Sequence, residues 1–236
     1  MSPPASKWGA RAAEVYNETY AERYRARDEV ARENDAIESL GRWLTGACER
    51  FGVPIDVLDL GCGTGRYFRY VHGARRLVGV DVSTPMLDLA RHPVGVVTAD
   101  SVQLVEADFL QADFDPGRYD LIYSIGVLAE HSPFDLPLAA RVQSWLRPGG
   151  RFAFTAVDVT CPSIPRTMAR RLAEWALPIA GPFRPSMRSR LLSGGLYADR
   201  QRLHDVLVGA GFAIESIESF QSDVHLHLLA VARAAA

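Results

Sequence analysis

Val57-Leu58-Asp59-Leu60-Gly61-Cys62-Gly63-Thr64-Gly65-Arg66 is the stretch whose reading decides the fold. A short apolar run ends in a carboxylate and gives way to glycine at alternate positions, and Arg66-Tyr67-Phe68 onward reads as the start of a helix. The pattern predicts a strand, a tight turn and a helix N-terminus in close succession. Glycine belongs where the backbone turns sharply or meets a ligand directly. A nucleoside ligand over the strand end is therefore the first expectation.

The dinucleotide fingerprint GxGxxG would require its third glycine at Arg66, so the loop is a different one: Asp-x-Gly-x-Gly-x-Gly. A dinucleotide loop presents backbone amides to a pyrophosphate. Here Asp59 stands just ahead of the glycines, where a carboxylate repels phosphate and suits a cation such as an ammonium or a sulfonium. S-adenosylmethionine (SAM) carries both.

At these residues the sequence resembles the class I SAM-dependent methyltransferases, whose first motif is similar to VLDLGCGTG over 57–65. The resemblance continues in order. Leu77-Val78-Gly79-Val80-Asp81 is similar to the family's second strand, and Ser83-Thr84-Pro85-Met86-Leu87 to its turn into the next helix. Val105-Glu106-Ala107-Asp108-Phe109 is similar to the third strand and its end, and 119–128 to the fourth strand and its loop. Trp145-Leu146-Arg147-Pro148-Gly149-Gly150 is similar to the turn before the fifth strand, and Val208-Gly209-Ala210-Gly211-Phe212 to the helix end before the sixth. The match covers roughly 52–160 and 197–233.

The resemblance implies a cofactor site for SAM, with S-adenosylhomocysteine as product. Asp59 would face the methionine amino group through the loop of Gly61, Cys62, Gly63 and Gly65. Asp81, followed by Val82, would hold the ribose hydroxyls, and Asp108 would accept from the adenine amino group. Met86 and Phe109 read either as adenine contacts or as ordinary core. Ser124 and Ile125 would offer backbone groups near the transferable methyl. Where the family often has an acidic residue followed by His, this chain has Glu130-His131, with Ala129 inserted after Leu128. His131 is the candidate general base or acceptor-orienting residue, with Glu130 beside it. The opposing reading is that His131 merely precedes Ser132, a plausible helix N-cap, and faces water.

Length and composition set the outer bounds. The 236 residues suit one large α/β domain, or a domain with a cap. A formal net charge of -2 gives no bulk attraction to nucleic acid, so neither a nucleic-acid partner nor a membrane is expected. Cys48, Cys62 and Cys161 are scattered without CxxC spacing, which speaks against a disulfide framework or a zinc site and for a reducing cytoplasm. No apolar run reaches membrane-spanning length, and the first residues do not read as a signal peptide. Monomer and homodimer both remain open.

Four segments are expected: an N-terminal helical cap over 1–51, a SAM-binding Rossmann-like core over 52–160, a helical substrate lid over 161–196, and core completion over 197–236. In the cap, Trp8, Ala12, Tyr16, Tyr20 and Tyr24 fall four apart, on one face of a helix. That stripe either docks the helix or, through Tyr20, closes the cofactor site. Val30, Ile37, Leu40 and Leu44 give a second helix its stripe.

Apolar runs at 55–60, 77–81, 102–106, 119–125 and 151–157 read as strands buried on both faces and alternate with helical stretches, clearest at 132–146. Pro93 to Val97 reads as an extra strand or a loop. A helix around Asp199–Ala210 and two strands, Ala213–Phe220 and Val224–Arg233, close the chain as an antiparallel hairpin. The predicted fold is a doubly wound, mostly parallel seven-stranded α/β sheet with that hairpin at one edge.

The expected lid carries Arg166, Arg170, Arg171, Arg184, Arg188 and Arg190 against a single acid, Glu174. This suggests a small organic acceptor with an acidic group such as a carboxylate. His225 and His227 share a strand face without an accompanying carboxylate or cysteine cluster, and read as a surface pair; no metal is expected. The leading function is O- or N-directed methylation of a small molecule by in-line displacement. A non-catalytic SAM-binding or regulatory module is the alternative, and Arg66 speaks against a nicotinamide oxidoreductase.

Overall fold

The computed structural model describes residues 5–30, 35–52, 54–164, 196–222 and 225–235. Seven strands form one sheet in the order β3-β2-β1-β4-β5-β7-β6. They are β1 (Ile55–Leu60), β2 (Ala74–Asp81), β3 (Val102–Glu106), β4 (Tyr119–Ser124), β5 (Leu146–Val157), β6 (Phe212–Gln221) and β7 (Leu226–Ala234). β1 to β5 pair in parallel, while β7 runs antiparallel to both β5 and β6. The helices are α1 (Lys7–Val15), α2 (Glu18–Val30), α3 (Asp35–Glu49), α4 (Thr84–Ala90), α5 (Leu136–Trp145) and α6 (Arg200–Gly209).

The two-residue period of a strand divides the core between the sheet's faces. Leu58, Leu60, Ile122, Phe152 and Phe154 pack on one side with Leu138, Val142 and Trp145 of α5 and Leu203 and Leu207 of α6. Val57, Leu77, Leu121, Tyr123 and Ala153 pack on the other, with Leu44 and Ala47 of α3 and Leu87 and Ala90 of α4. β1 is buried along its whole length, as a central parallel strand must be. β3 is not: as the edge strand it leaves Val102 and Glu106 exposed, contrary to the two-faced burial its composition suggested.

Several local features depart from the sequence reading. The helix expected from Arg66 onward is a run of turns ending in a single 3₁₀ turn, Phe68–Tyr70, because β2 already begins at Ala74. The aromatic stripe is not one helix: it breaks at Tyr16, and Asn17 caps α2 by accepting from the Tyr20 amide at 3.2 Å. Val30 ends α2 exposed and takes no part in the stripe of α3. Helix α5 starts after Asp135, which accepts from the Leu138 amide, so Ser132 is not its N-cap. Pro93 to Val97 is loop. The turn expected before the fifth strand is absorbed into β5 as a register break opposite β4.

Candidate functional site

A cleft of about 840 Å³ opens at the carboxyl ends of β1, β2, β3 and β4, the place where parallel α/β sheets bind ligands. Its floor is the glycine loop. Gly61, Gly63 and Gly65 all have positive φ, at 81°, 54° and 73°. A Cβ on Gly61 would come within 2.6 Å of Val127, so glycine there is required by space as well as by backbone.

Carboxylates from successive strand ends converge on this floor. Asp59 is 3% exposed and lines the cleft. Burial pushes its carboxyl well above the usual range; the Tyr123 hydroxyl approaches and opposes this, and the charge of Asp81 adds to it. Asp81 joins the loop to β2: its two oxygens accept from Gly63 N–H at 2.8 Å and Ser83 N–H at 2.9 Å. Burial raises the Asp81 carboxyl too, against the pull of those backbone donors. Asp108 accepts from Ser6 N–H at 2.7 Å and Leu110 N–H at 2.9 Å. Each carboxylate oxygen has two lone pairs, so both Asp81 and Asp108 keep acceptor capacity toward the cleft.

The roof comes from the N-terminal helices. Trp8, Gly9, Ala12 and Tyr16 from α1 and Tyr24 from α2 line the cleft. Helix α1 is docked by the Ser83 hydroxyl, which donates to the Tyr16 carbonyl at 2.5 Å, and α2 by Arg25, which donates to the Leu89 and His92 carbonyls. The strongest tie is buried. Asp28 of α2 accepts from the Thr64 hydroxyl and from Arg66 Nε, both of the glycine loop, and the Arg66 guanidinium lies 4.1 Å from the centre of the Tyr24 ring. Arg66 Nη2, buried in the cleft wall, has no hydrogen-bond partner among the described residues.

The far wall is the turn after β4. Ile125, Gly126, Val127, His131 and Ser132 line it. The turn is tight: the amides of His131 and Ser132 both donate to the Val127 carbonyl, at 2.9 and 3.1 Å, and Ala129 adopts a left-handed φ of 54°. His131 meets Tyr16 edge-on at 5.7 Å, and its Nε2 lies 3.4 Å from Glu130 Oε1.

A model of the methyltransferase domain family matches residues 57–150, the span from β1 to the bend in β5. A solved S-adenosylmethionine-dependent methyltransferase from Mesorhizobium loti is 27% identical, with a TM-score of 0.56, over 77% of this chain and 91% of that one. Residues 57–150 thus carry a methyltransferase domain, similar to that of the class I SAM-dependent methyltransferases. The chain is 34% identical over 140 residues to the nocamycin O-methyltransferase of Saccharothrix syringae, covering 55% of this chain and 43% of that protein. It is 32% identical over 151 residues to the cypemycin N-terminal methyltransferase of a Streptomyces species, covering 61% and 57%. The chain spans about half the length of the curated relatives it matches.

Of the residues singled out from sequence, the fold brings Asp59, Gly61, Cys62, Gly63, Asp81, Val82, Met86, Asp108, Phe109, Ile125 and His131 to the cleft wall. Met86 and Phe109 are also core, 2% and 6% exposed. Gly65 lies in the loop beneath, packed on Phe68. Cys62 is a buried thiol whose ionisation is pushed well up, first by burial.

Besides Gly65, three residues are not on the wall. Ser124 is fully buried, its hydroxyl donating to the Leu60 carbonyl at 2.7 Å to stitch β4 to β1. Tyr20 stands between Tyr16 and Tyr24, because the break at Tyr16 puts the stripe on two helices. Glu130 sits behind His131. The expected basic lid, with Arg166, Arg170, Arg171, Arg184, Arg188, Arg190 and Glu174, lies outside the described residues except at its ends.

Trp8, Tyr16 and Tyr24 were legible as a stripe that either docks a helix or closes the site, and they line the cleft where Tyr20 does not. The Asp28–Arg66 pair was not legible at all: Arg66 read only as a departure from a dinucleotide motif, and its partner is on another element. His225 and His227 are not a surface pair, since His227 is 7% exposed and His225 faces Glu130. Among the described residues no group of three or more His, Cys, Asp or Glu side chains could hold a metal ion, and no helix is long and apolar enough to cross a membrane.

Proposed function

We propose that this protein methylates an O or N atom of a small organic acceptor, with SAM as donor. The observation that carries the reading is the chemistry of the cleft's two ends of charge. The buried Asp59 and Arg66, whose guanidinium is paired with Asp28 through Nε, are both among the residues that line the cavity. Opposite charges so placed suit the ammonium and carboxylate of an amino-acid moiety, and a phosphate is disfavoured beside Asp59 and Asp81. Asp81 would take the ribose hydroxyls, and Asp108 with Met86, Phe109 and Leu110 the adenine.

Bound SAM supplies a methyl group on a sulfonium, activated toward a nucleophile. The leaving group is neutral and needs no acid. The protein's part is to hold the reactants in line, which is worth on the order of 7–11 kcal/mol in the best intramolecular cases. The roof of α1 and α2 excludes water. His131 would take the acceptor's proton, since it lines the wall beside the cleft and has Glu130 behind it. The relatives' own names cover O-, N- and C-methylation and do not choose the acceptor atom; the choice of O or N rests on His131 as a base.

Isothermal calorimetry of the full chain with SAM and with NAD tests this directly. Heat with SAM and none with NAD is expected; the reverse overturns the proposal. Asp81→Ala should weaken SAM binding by about 1–3 kcal/mol, the scale of a lost charged hydrogen bond. Unchanged affinity would remove Asp81 from the ribose site.

A further inference from the structure

The turn after β4 and the start of β7 bring two imidazoles to one carboxylate oxygen. His131 Nε2 is 3.4 Å and His225 Nε2 3.6 Å from Glu130 Oε1. At these distances the contacts are ionic attractions rather than closed hydrogen bonds. The other nitrogen of His225, Nδ1, is 2.8 Å from the Ser163 hydroxyl, on the segment after β5. Ser163 is in turn 3.0 Å from Cys161 Sγ, which accepts from the Leu226 amide. Two elements distant in sequence are thus held around Glu130, whose side chain is 17% exposed against 43% for His131 and 28% for His225.

The arrangement has a direction. Only His131 reaches the cleft wall. Its Nδ1 has no hydrogen-bond partner among the described residues and is the nitrogen left for an acceptor. Behind it the carboxylate stabilises an imidazolium. A second imidazole, that of His225, lies against the same carboxylate oxygen, so His131 and His225 share Glu130 as a neighbour.

We infer that His225 is a positioning residue of the acceptor site, acting on His131 through Glu130. This rests on the proposed function, in which His131 meets the acceptor. In the step concerned, the proton leaves the acceptor's O–H or N–H for His131 Nδ1, and the electron pair stays on the acceptor atom. The imidazolium so formed lies beside Glu130. The proton then returns to solvent from the exposed side of His131. With both histidines protonated, one carboxylate faces two cations, so protonation of either opposes the other. The groups facing this cluster are Tyr16 from α1, Glu130 and His131 from the turn, Cys161 and Ser163 after β5, and His227 from β7, whose Nε2 is 3.3 Å from the Ser222 hydroxyl.

Histidine ring resonances followed by NMR across pH test the coupling without an acceptor, on the full chain with S-adenosylhomocysteine added. Glu130→Gln should move the His131 titration to lower pH by about one unit, the scale of losing one close carboxylate charge. His225→Asn should move it the other way, to higher pH, and turn a broadened titration into a single step. A His131 curve that is the same in the wild type and in His225→Asn overturns the inference. Should Glu130→Gln fail to fold, His225→Asn alone decides. Loss of S-adenosylhomocysteine binding by the wild type would instead overturn the cofactor reading, and the histidine titrations would still report on the relay.

Discussion

Asp59 is a carboxylate almost without water beneath a glycine loop. Burial raises its ionisation well above the ordinary carboxylate range, so the folded chain holds a proton there that the unfolded chain releases. Stability contributed at this site therefore falls as pH rises above the usual carboxylate range, and at neutral pH the buried group is a cost. A bound ammonium offsets it. Asp59→Asn removes the charge and keeps the shape. Thermal unfolding of the free variant should occur at or above the wild-type temperature, while SAM affinity drops tenfold or more, about 1.4 kcal/mol. A variant that is both less stable and equally tight in binding would contradict this account. Asp59 was legible from its place ahead of alternate glycines. The use of Arg66 was not, because an arginine after the loop has no meaning until Asp28 and Tyr24 are placed around it. Ala129 is an intermediate case: its place ahead of Glu130-His131 was visible, but its left-handed φ of 54° in the tight turn was not.

Helices α1 and α2 show what periodicity can and cannot say. Aromatic residues four apart predict one helical face, and Trp8, Tyr16 and Tyr24 do face the cleft. The break at Tyr16 is set by the Asn17 cap and by the Ser83 hydroxyl on the Tyr16 carbonyl, contacts that a helical period does not encode. The roof is held to the glycine loop by Asp28, 2% exposed, against Arg66 and Thr64. Removing one member of a buried pair leaves the other charge uncompensated, at about 3–5 kcal/mol. Asp28→Ala should therefore loosen the roof before the sheet. Hydrogen exchange of residues 7–30 should rise a hundredfold or more, with β1 and β4 unchanged, and SAM should bind more weakly. Uniform exchange across the chain would show instead that α2 and the sheet open together.

At the scale of the molecule, the pairing of β7 with β5 sets His227 in the core and links that position to acid stability. His227 is buried on β7 with its Nδ1 unpartnered. Burial lowers its ionisation, opposed by Glu130 and aided by His225. A depressed imidazole means that the unfolded chain takes up a proton which the folded chain resists. Stability is then complete above the ordinary histidine range, near about pH 6.5, and is lost as pH falls below it. Chemical denaturation from pH 7.5 down to pH 5 should show this fall, and His227→Gln should flatten it; an equal slope in the variant would place the acid sensitivity elsewhere.

While the order of the strands was not legible in the sequence, the doubly wound, mostly parallel sheet, the antiparallel hairpin and the carboxylates at successive strand ends were. Each is a local matter, since a buried parallel strand, a short hairpin connection and a glycine turn are written in adjacent residues. Which side chains share the cleft was decided by tertiary structure. Asp28 meets Arg66, His225 meets Glu130, and Ser124 turns to the Leu60 carbonyl across gaps of tens of residues. No periodicity spans such gaps, because those contacts depend on how the sheet's twist and the docking of α2 bring distant backbones together.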